Sequence, residues 1–259
     1  MKTKNLPKQT MEVHHHPDLH HKKKNFKEYF LEFLMIFLAV TLGFFAENIR
    51  ESIVKKEKEK HYIENIIADL KTDTANITLS VHMQNLLLKK METVLKIPVE
   101  KLDNFSMQDT LYQNLVPFYA GSWIFVQNNN TVTQLKNAGG FNVFTNQKAV
   151  DSITAVYYYY DSWIKLNADL YMKSYEKTAD LATQLIRLPE AIYSFNDTTR
   201  IIPLGNKIVI RNNTILFEQL YSNIRYQKGE LSICIETEKE YLRKVERLLK
   251  FLQSQYNLK

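Results

Sequence analysis

FKEYFLEFLMIFLAVTLGFFAENIRE, residues 26–51, is one apolar block between charged flanks, and its reading decides the rest of the chain. From Phe30 to Ala46 there are seventeen residues, of which only Glu32 is charged. An α-helix rises about 1.5 Å per residue and a bilayer core is about 30 Å thick, so about twenty apolar residues are needed to cross it. The block is slightly short. Tyr29 and Ile49 extend it, and Lys27 and Arg50 can reach the headgroups at its two ends. No small-residue cleavage site follows, because Phe44-Phe45-Ala46 leads straight into Glu47-Asn48, which favours an uncleaved anchor over a signal peptide. The expected span is residues 27–50. Glu32 lies in its first turn, where a side chain snorkelling to the headgroups is expected rather than an intramembrane site.

On the N-terminal side, residues 1–25 form a polar, basic, His-rich tail for which disorder or loose contact with a membrane surface is expected. Lys2, Lys4, Lys8, Lys22, Lys23, Lys24 and Lys27 face only Glu12 and Asp18, so much of the formal charge of +6 sits before residue 28. That balance suits anionic lipid at least as well as nucleic acid. His14, His15, His16, His20 and His21, with Asp18 among them, are dense enough to hold a borderline metal such as Zn²⁺, Ni²⁺ or Cu²⁺. Pro17 interrupts the run and nothing fixes a geometry, so a solvated segment that gains charge as pH falls is the competing expectation. Lysines flank the block on both sides. The triple lysine abutting it tilts the orientation towards tail inside and domain outside.

On the C-terminal side, apolar residues recur at alternating four and three spacing. The seam Ile49, Ile53, Lys56, Lys60, Ile63, Ile67, Leu70, Thr74, Ile77, Val81, Gln84, Leu88, Met91 and Leu95 predicts a long amphipathic helix over about 51–97, stopped by Pro98. Continued backwards, the same phase passes through Ala46, Leu42, Ala39, Met35 and Glu32, so anchor and domain are expected to share one helical rod. Ala39 and Gly43 form a small-xxx-small pair beside that stripe, which with Glu32 and Ala46 marks a face for helix packing and a homodimer through the membrane. Ser106-x-x-Asp109 is expected to cap a short helix ending before Pro117. Another short helix is expected over Thr131–Ala138, with Gly139 or Gly140 at its left-handed end. A second long helix, about 146–188, carries Ala149, Ile153, Val156, Tyr160, Trp163, Asn167, Leu170 and Ser174 as its core stripe. A third, about 214–256, carries Phe217, Tyr221, Ile224, Lys228, Leu231, Ile235, Glu238, Leu242, Val245, Leu249, Leu252 and Tyr256. Between them IIPLGNKIVI can form a small β-hairpin at 200–211 around Gly205-Asn206.

MEVHHHP at 11–17, KKKNFKEYFLEFLMIFLAVTLGFFAENIRE at 22–51 and QLKNAGGF at 134–141 together resemble a family of uncharacterised single-pass membrane proteins common in Bacteroidota. The resemblance is strong over Met11–Glu51 and looser beyond. It implies a bacterial inner (plasma) membrane protein with a helical domain, points to Met11 as a start, and brings no activity or catalytic residue with it.

The chemistry-bearing signals are sparse. There is no GxGxxG, P-loop, HExxH, GxSxG or paired CxxC, and catalysis and cofactors are not expected. One cysteine, Cys234, excludes an intrachain disulfide. Outside the tail only His61 and His82 remain, both predicted to face solvent. Asp69 and Asp73 share a helical face, as such i, i+4 pairs usually do in solvated helices. YYYYDSW at 157–163 resembles an aromatic platform, but four consecutive tyrosines point all round a helix, so Tyr160 and Trp163 are expected in the core. Basic and acidic residues interleave along the helices without a reader motif, which sets nucleic acid aside. Six Gly and six Pro in 259 residues favour long helices. The expectation is an all-α chain, a single N-terminal transmembrane helix continuing into an elongated antiparallel bundle over 51–259. Its role is expected to be that of a membrane-anchored interaction or scaffold protein with the bilayer and an unknown protein as partners. An extracytoplasmic sensor or ligand-binding bundle is the first alternative, and metal binding by the tail the second.

Overall fold

The structure, a computed structural model, describes residues 25–115, 123–186 and 213–258. They are all-α: α1 (Phe26–Leu95), α2 (Phe105–Leu115), α3 (Asn130–Asn137), α4 (Gln147–Tyr159), α5 (Lys165–Leu185) and α6 (Thr214–Tyr256), with short 3₁₀ turns at Val99–Lys101 and Gly140–Val143. No β-strand occurs among the described residues, and the 200–211 hairpin lies outside them. The chain divides into two compact units, one ending at Ile53 and the other beginning at Val54. The described part of the first unit is a single helical stretch. The second is the helical bundle.

Within the bundle, α1 buries Glu59, Ile63, Ile66, Leu70, Asp73, Ile77, Ser80, Gln84, Leu87, Met91 and Val94, together with Ile67. These residues recur at strict four and three spacing, the period of a coiled-coil seam. Half of the expected seam is displaced by one residue. Lys60 is exposed, and Thr74, Val81, Leu88 and Leu95 are only half-buried, while the residue before each of them is buried. The displaced half carries Glu59, Asp73 and Ser80, polar side chains that periodicity alone assigns to solvent.

A second displacement follows a local irregularity. α4 and α5 are joined through a π-helical turn at Tyr160–Ile164, which inserts one extra residue into the helix. Ahead of the turn the stripe Ala149, Ile153, Val156, Tyr160 is buried as expected. After it Asn167 and Ser174 stay buried as expected, while Ile164 and Tyr171 are buried in place of Trp163 and Leu170, and Thr178, Leu181 and Leu185 continue the buried face. Trp163, expected in the core, is 53% exposed, and Leu170 is exposed too. Ile164→Ala should therefore cost about 2–4 kcal/mol of stability and Trp163→Ala less than about 1 kcal/mol in denaturant unfolding. The reverse order would place the core on the uninterrupted phase.

The second and third long helices run antiparallel, since Cys234 Sγ meets the Asn167 carbonyl at 3.4 Å and Asn223 Nδ2 donates to the Ser174 carbonyl at 2.9 Å. α6 is also antiparallel to α1, because Gln84 faces Glu238 near mid-helix while Tyr256 bonds Glu59. On α6 the buried face substitutes Gln227, Tyr241 and Leu248 for the expected Lys228, Leu242 and Leu249. Two apolar cores result. One gathers Leu87, Met91, Leu111, Tyr112, Leu185, Phe217 and Leu231, and the other Ile63, Leu70, Phe125, Leu135, Ile153, Tyr160 and Val245.

The short elements have local explanations. Asn104, not Ser106, caps α2, its Oδ1 accepting from the Ser106 N–H at 2.8 Å. Asn146 caps α4 by accepting from the Ala149 N–H. α3 ends as expected on Gly139 and Gly140, with φ of +98° and +76°, a conformation that a side chain would strain.

Candidate functional site

The first candidate is the apolar stretch of α1. Its helix includes a window long and apolar enough to cross a membrane, none of it buried. Phe30, Leu31, Phe33, Met35, Ile36, Phe37, Leu38, Val40, Leu42, Phe44 and Phe45 are all exposed. So are Glu32, Ala39, Gly43 and Ala46, the expected packing face, and a Cβ added at Gly43 would meet nothing within 4 Å. A sheath of large apolar side chains this long, covered by nothing among the described residues, calls for an apolar environment.

The second candidate lies inside the bundle. Residues 123–128 lie outside any helix and their side chains alternate, with Phe125 and Gln127 buried while Trp123 and Val126 are exposed, before Asn129 turns into α3. A buried non-helical segment leaves backbone groups without ladder partners, and these must be satisfied by side chains. α1 and α6 supply them. The Trp123 carbonyl accepts from Gln84 Nε2 at 2.8 Å and from Ser80 Oγ at 3.3 Å. Gln84 also donates to Glu238 Oε1 at 2.7 Å. Gln127 donates to the Tyr241 hydroxyl. The Asn128 N–H donates to Asp73 Oδ1 at 2.8 Å, and Asp69 accepts from Asn128 Nδ2 at 2.9 Å and from the Thr131 N–H at 3.1 Å. Asp69 and Asp73 are therefore not a solvated pair: they hold the turn that opens α3.

Glu59 does the same for α4. It accepts from the Thr145 N–H at 2.7 Å, the Thr145 hydroxyl at 2.6 Å, the Asn146 N–H at 3.3 Å and the Tyr256 hydroxyl. Burial pushes its carboxyl up, but these four donors outweigh it and hold the group below its ordinary range. Glu238 goes the other way, raised by burial against the hydrogen bonds from Gln84 and Ser80.

The remaining sequence candidates do not converge. Burial pushes the Cys234 thiol up to about 12, so it is no thiolate nucleophile. His61 and His82 are exposed as expected, and among the described residues no three His, Cys, Asp or Glu side chains gather around one point. His14, His15, His16, His20 and His21 lie outside the described residues. Tyr160 sits edge-on to Phe125 at 5.7 Å, and Tyr159 stacks on Tyr241 at 6.3 Å with Lys244 over its ring, so the tyrosine run mostly packs into the bundle and only Tyr158 is fully presented to solvent.

Exposed apolar side chains also occur on the packed pair α5 and α6. Trp163, Leu166 and Leu170 share one flank of the π turn and α5, and Tyr226 and Ile233 share one face of α6; all five are exposed. Leu170 and Tyr226 line the same groove, of about 710 Å³, together with Lys173, Lys177, Ser222 and the buried Asn223. In comparisons with family models, curated proteins and solved structures, nothing matches this chain.

Proposed function

We propose that the chain is a single-pass, membrane-anchored helical protein whose bundle binds another protein, as an interaction or scaffold module. The observation that carries the anchor is the unburied apolar sheath from Phe30 to Phe45, because each such side chain is worth about 2 kcal/mol when removed from water. The likeness to single-pass membrane proteins of Bacteroidota supports the same assignment and an inner-membrane location. The triple lysine before the span favours the tail on the cytoplasmic side and the bundle outside. Ala39, Gly43 and Ala46 give the span a small-residue face suited to pairing with a second copy.

The interaction reading rests on the α5–α6 groove. Exposed Leu170 and Tyr226 beside polar and basic side chains make it the kind of surface that a protein partner covers. Lys173 and Lys177 are exposed on it and form no ion pair among the described residues, which fits an acidic partner segment. A photo-crosslinking side chain placed at Leu166 in native membranes should give a discrete protein adduct. That adduct should be lost when Lys173→Glu and Lys177→Glu are combined, and the same probe at exposed Lys71 should not form it. Identical adducts from both positions, or an adduct indifferent to the charge reversal, would remove the groove from the proposal.

A further inference from the structure

Asp73 has a feature that holding a turn does not require. It is fully buried, one of its oxygens accepts from the Asn128 N–H, and the other has no hydrogen-bond partner. Such an oxygen on an ionised carboxylate is among the costliest buried groups, whereas a protonated carboxyl carries no charge to bury and adds a donor. The surroundings offer an ionised Asp73 no countercharge. From α1 comes Asp69, the one charged group that acts on Asp73, with both its oxygens already engaged by Asn128 and Thr131. From α4 comes Tyr157, 6% exposed and with its own hydroxyl unpartnered, in the field of both carboxylates. From α6 comes Tyr241, in the field of Asp73 and already bonded to Gln127; Tyr160 of the π turn packs on Tyr241.

We propose that Asp73 is a proton-binding site that acts as a latch: protonated, it holds the non-helical segment 123–129 and the start of α3 against α1, and loss of its proton loosens them. A second negative charge one helical turn from Asp69 would be created in the interior, under the segment that carries the buried Phe125 and Gln127. Burial, opposed by the Asn128 N–H and joined by the Asp69 charge, pushes Asp73 from 3.8 up to about 7, which sets the range in which the latch works. An acid raised by folding contributes stability that is fully present below its unfolded value and is lost as pH rises through its folded value, here between pH 3.8 and about 7. Glu59 acts with the opposite sign, and only below its ordinary 4.5, so the two do not overlap near neutrality. The latch is independent of the membrane assignment.

The test uses the full chain in nanodiscs, with thermal unfolding followed from pH 5.5 to 8.5. The wild type should lose about 5 °C across that range. Asp73→Asn, which keeps the acceptor for Asn128 and cannot ionise, should already exceed it at pH 5.5, where about half of the loss has occurred, and by about twice as much at pH 8.5, with a Tm that does not fall across the range. Amide exchange of 123–131, corrected for its intrinsic pH dependence, should accelerate above neutrality in the wild type only. Asp69→Asn removes the neighbouring charge that helps to raise Asp73 and should move the transition to lower pH, which decides the matter if Asp73→Asn does not fold. Parallel unfolding curves for wild type and Asp73→Asn, or a transition unmoved by Asp69→Asn, would overturn the proposal.

Discussion

Glu59→Ala is expected to lower the stability of the bundle by about 3 kcal/mol, a fall in Tm of about 10 °C for a unit of this size. The carboxylate of Glu59 is 2% exposed and takes four hydrogen bonds, from the backbone of Thr145 and Asn146, the hydroxyl of Thr145 and the hydroxyl of Tyr256. Removing it leaves those donors without a partner in a water-poor site, which costs more than the bonds themselves contribute. It also releases the start of α4 from the end of α6. Glu57→Ala and Lys60→Ala, at exposed neighbouring positions, should each stay within about 0.5 kcal/mol. Because folding lowers the Glu59 pKa, its contribution is present above the unfolded value near 4.5 and is lost as pH falls through the folded one. Chemical unfolding at pH 7 should show the full gap between wild type and Glu59→Ala, and the gap should narrow below pH 4.5. A gap that persists undiminished in acid would mean that the charge is not what holds the junction.

Leu38→Lys combined with Leu42→Lys is expected to abolish membrane integration. Both side chains are exposed near the middle of the apolar stretch, at 46% and 63%. Each lysine at the centre of a spanning helix costs about 3 kcal/mol on insertion scales, so the pair removes about 6 kcal/mol. The wild type should stay in the pellet after alkaline carbonate extraction and the double variant should be released. The helical circular dichroism of the bundle should be unchanged, since neither residue belongs to the unit that begins at Val54.

The contrast between these two positions shows what was legible in the sequence. The apolar block announces itself by composition, and the three long helices by periodicity, because both signals are carried by the residues that form them. Their ends were legible too: Pro98 follows α1, Asn146 caps α4, and Gly139 ends α3. The register of the buried face was not. On α1 it passes through Glu59, Asp73 and Ser80 because the groups they face are the backbone of 123–131 and 145–146, distant in sequence and silent in the helix's own pattern. Reading Val81 over Ser80 is the better choice by hydrophobicity and the wrong one by geometry. On α5 half of the stripe moves by one residue past the π turn at Tyr160–Ile164, Ile164 and Tyr171 replacing Trp163 and Leu170 while Asn167 and Ser174 stay buried, and no residue type in YDSWI signals the turn. Glu59 and Asp73 were missed for the same reason that they are buried, since a carboxylate on a helix face looks solvated until the chain that it serves is placed beside it, whereas Glu238 lay on the expected stripe.

The central claim, a single crossing by residues 27–50, is tested most directly by placing one cysteine on each side of the span. Lys22→Cys and Lys58→Cys would be made separately on a Cys234→Ser background and exposed to a membrane-impermeant maleimide in sealed, right-side-out vesicles. A single crossing predicts that one of the two is labelled in intact vesicles and the other only after permeabilisation. With Lys58→Cys the one labelled from outside, the bundle is extracytoplasmic. Labelling of both from the same side of the intact membrane would contradict the crossing itself.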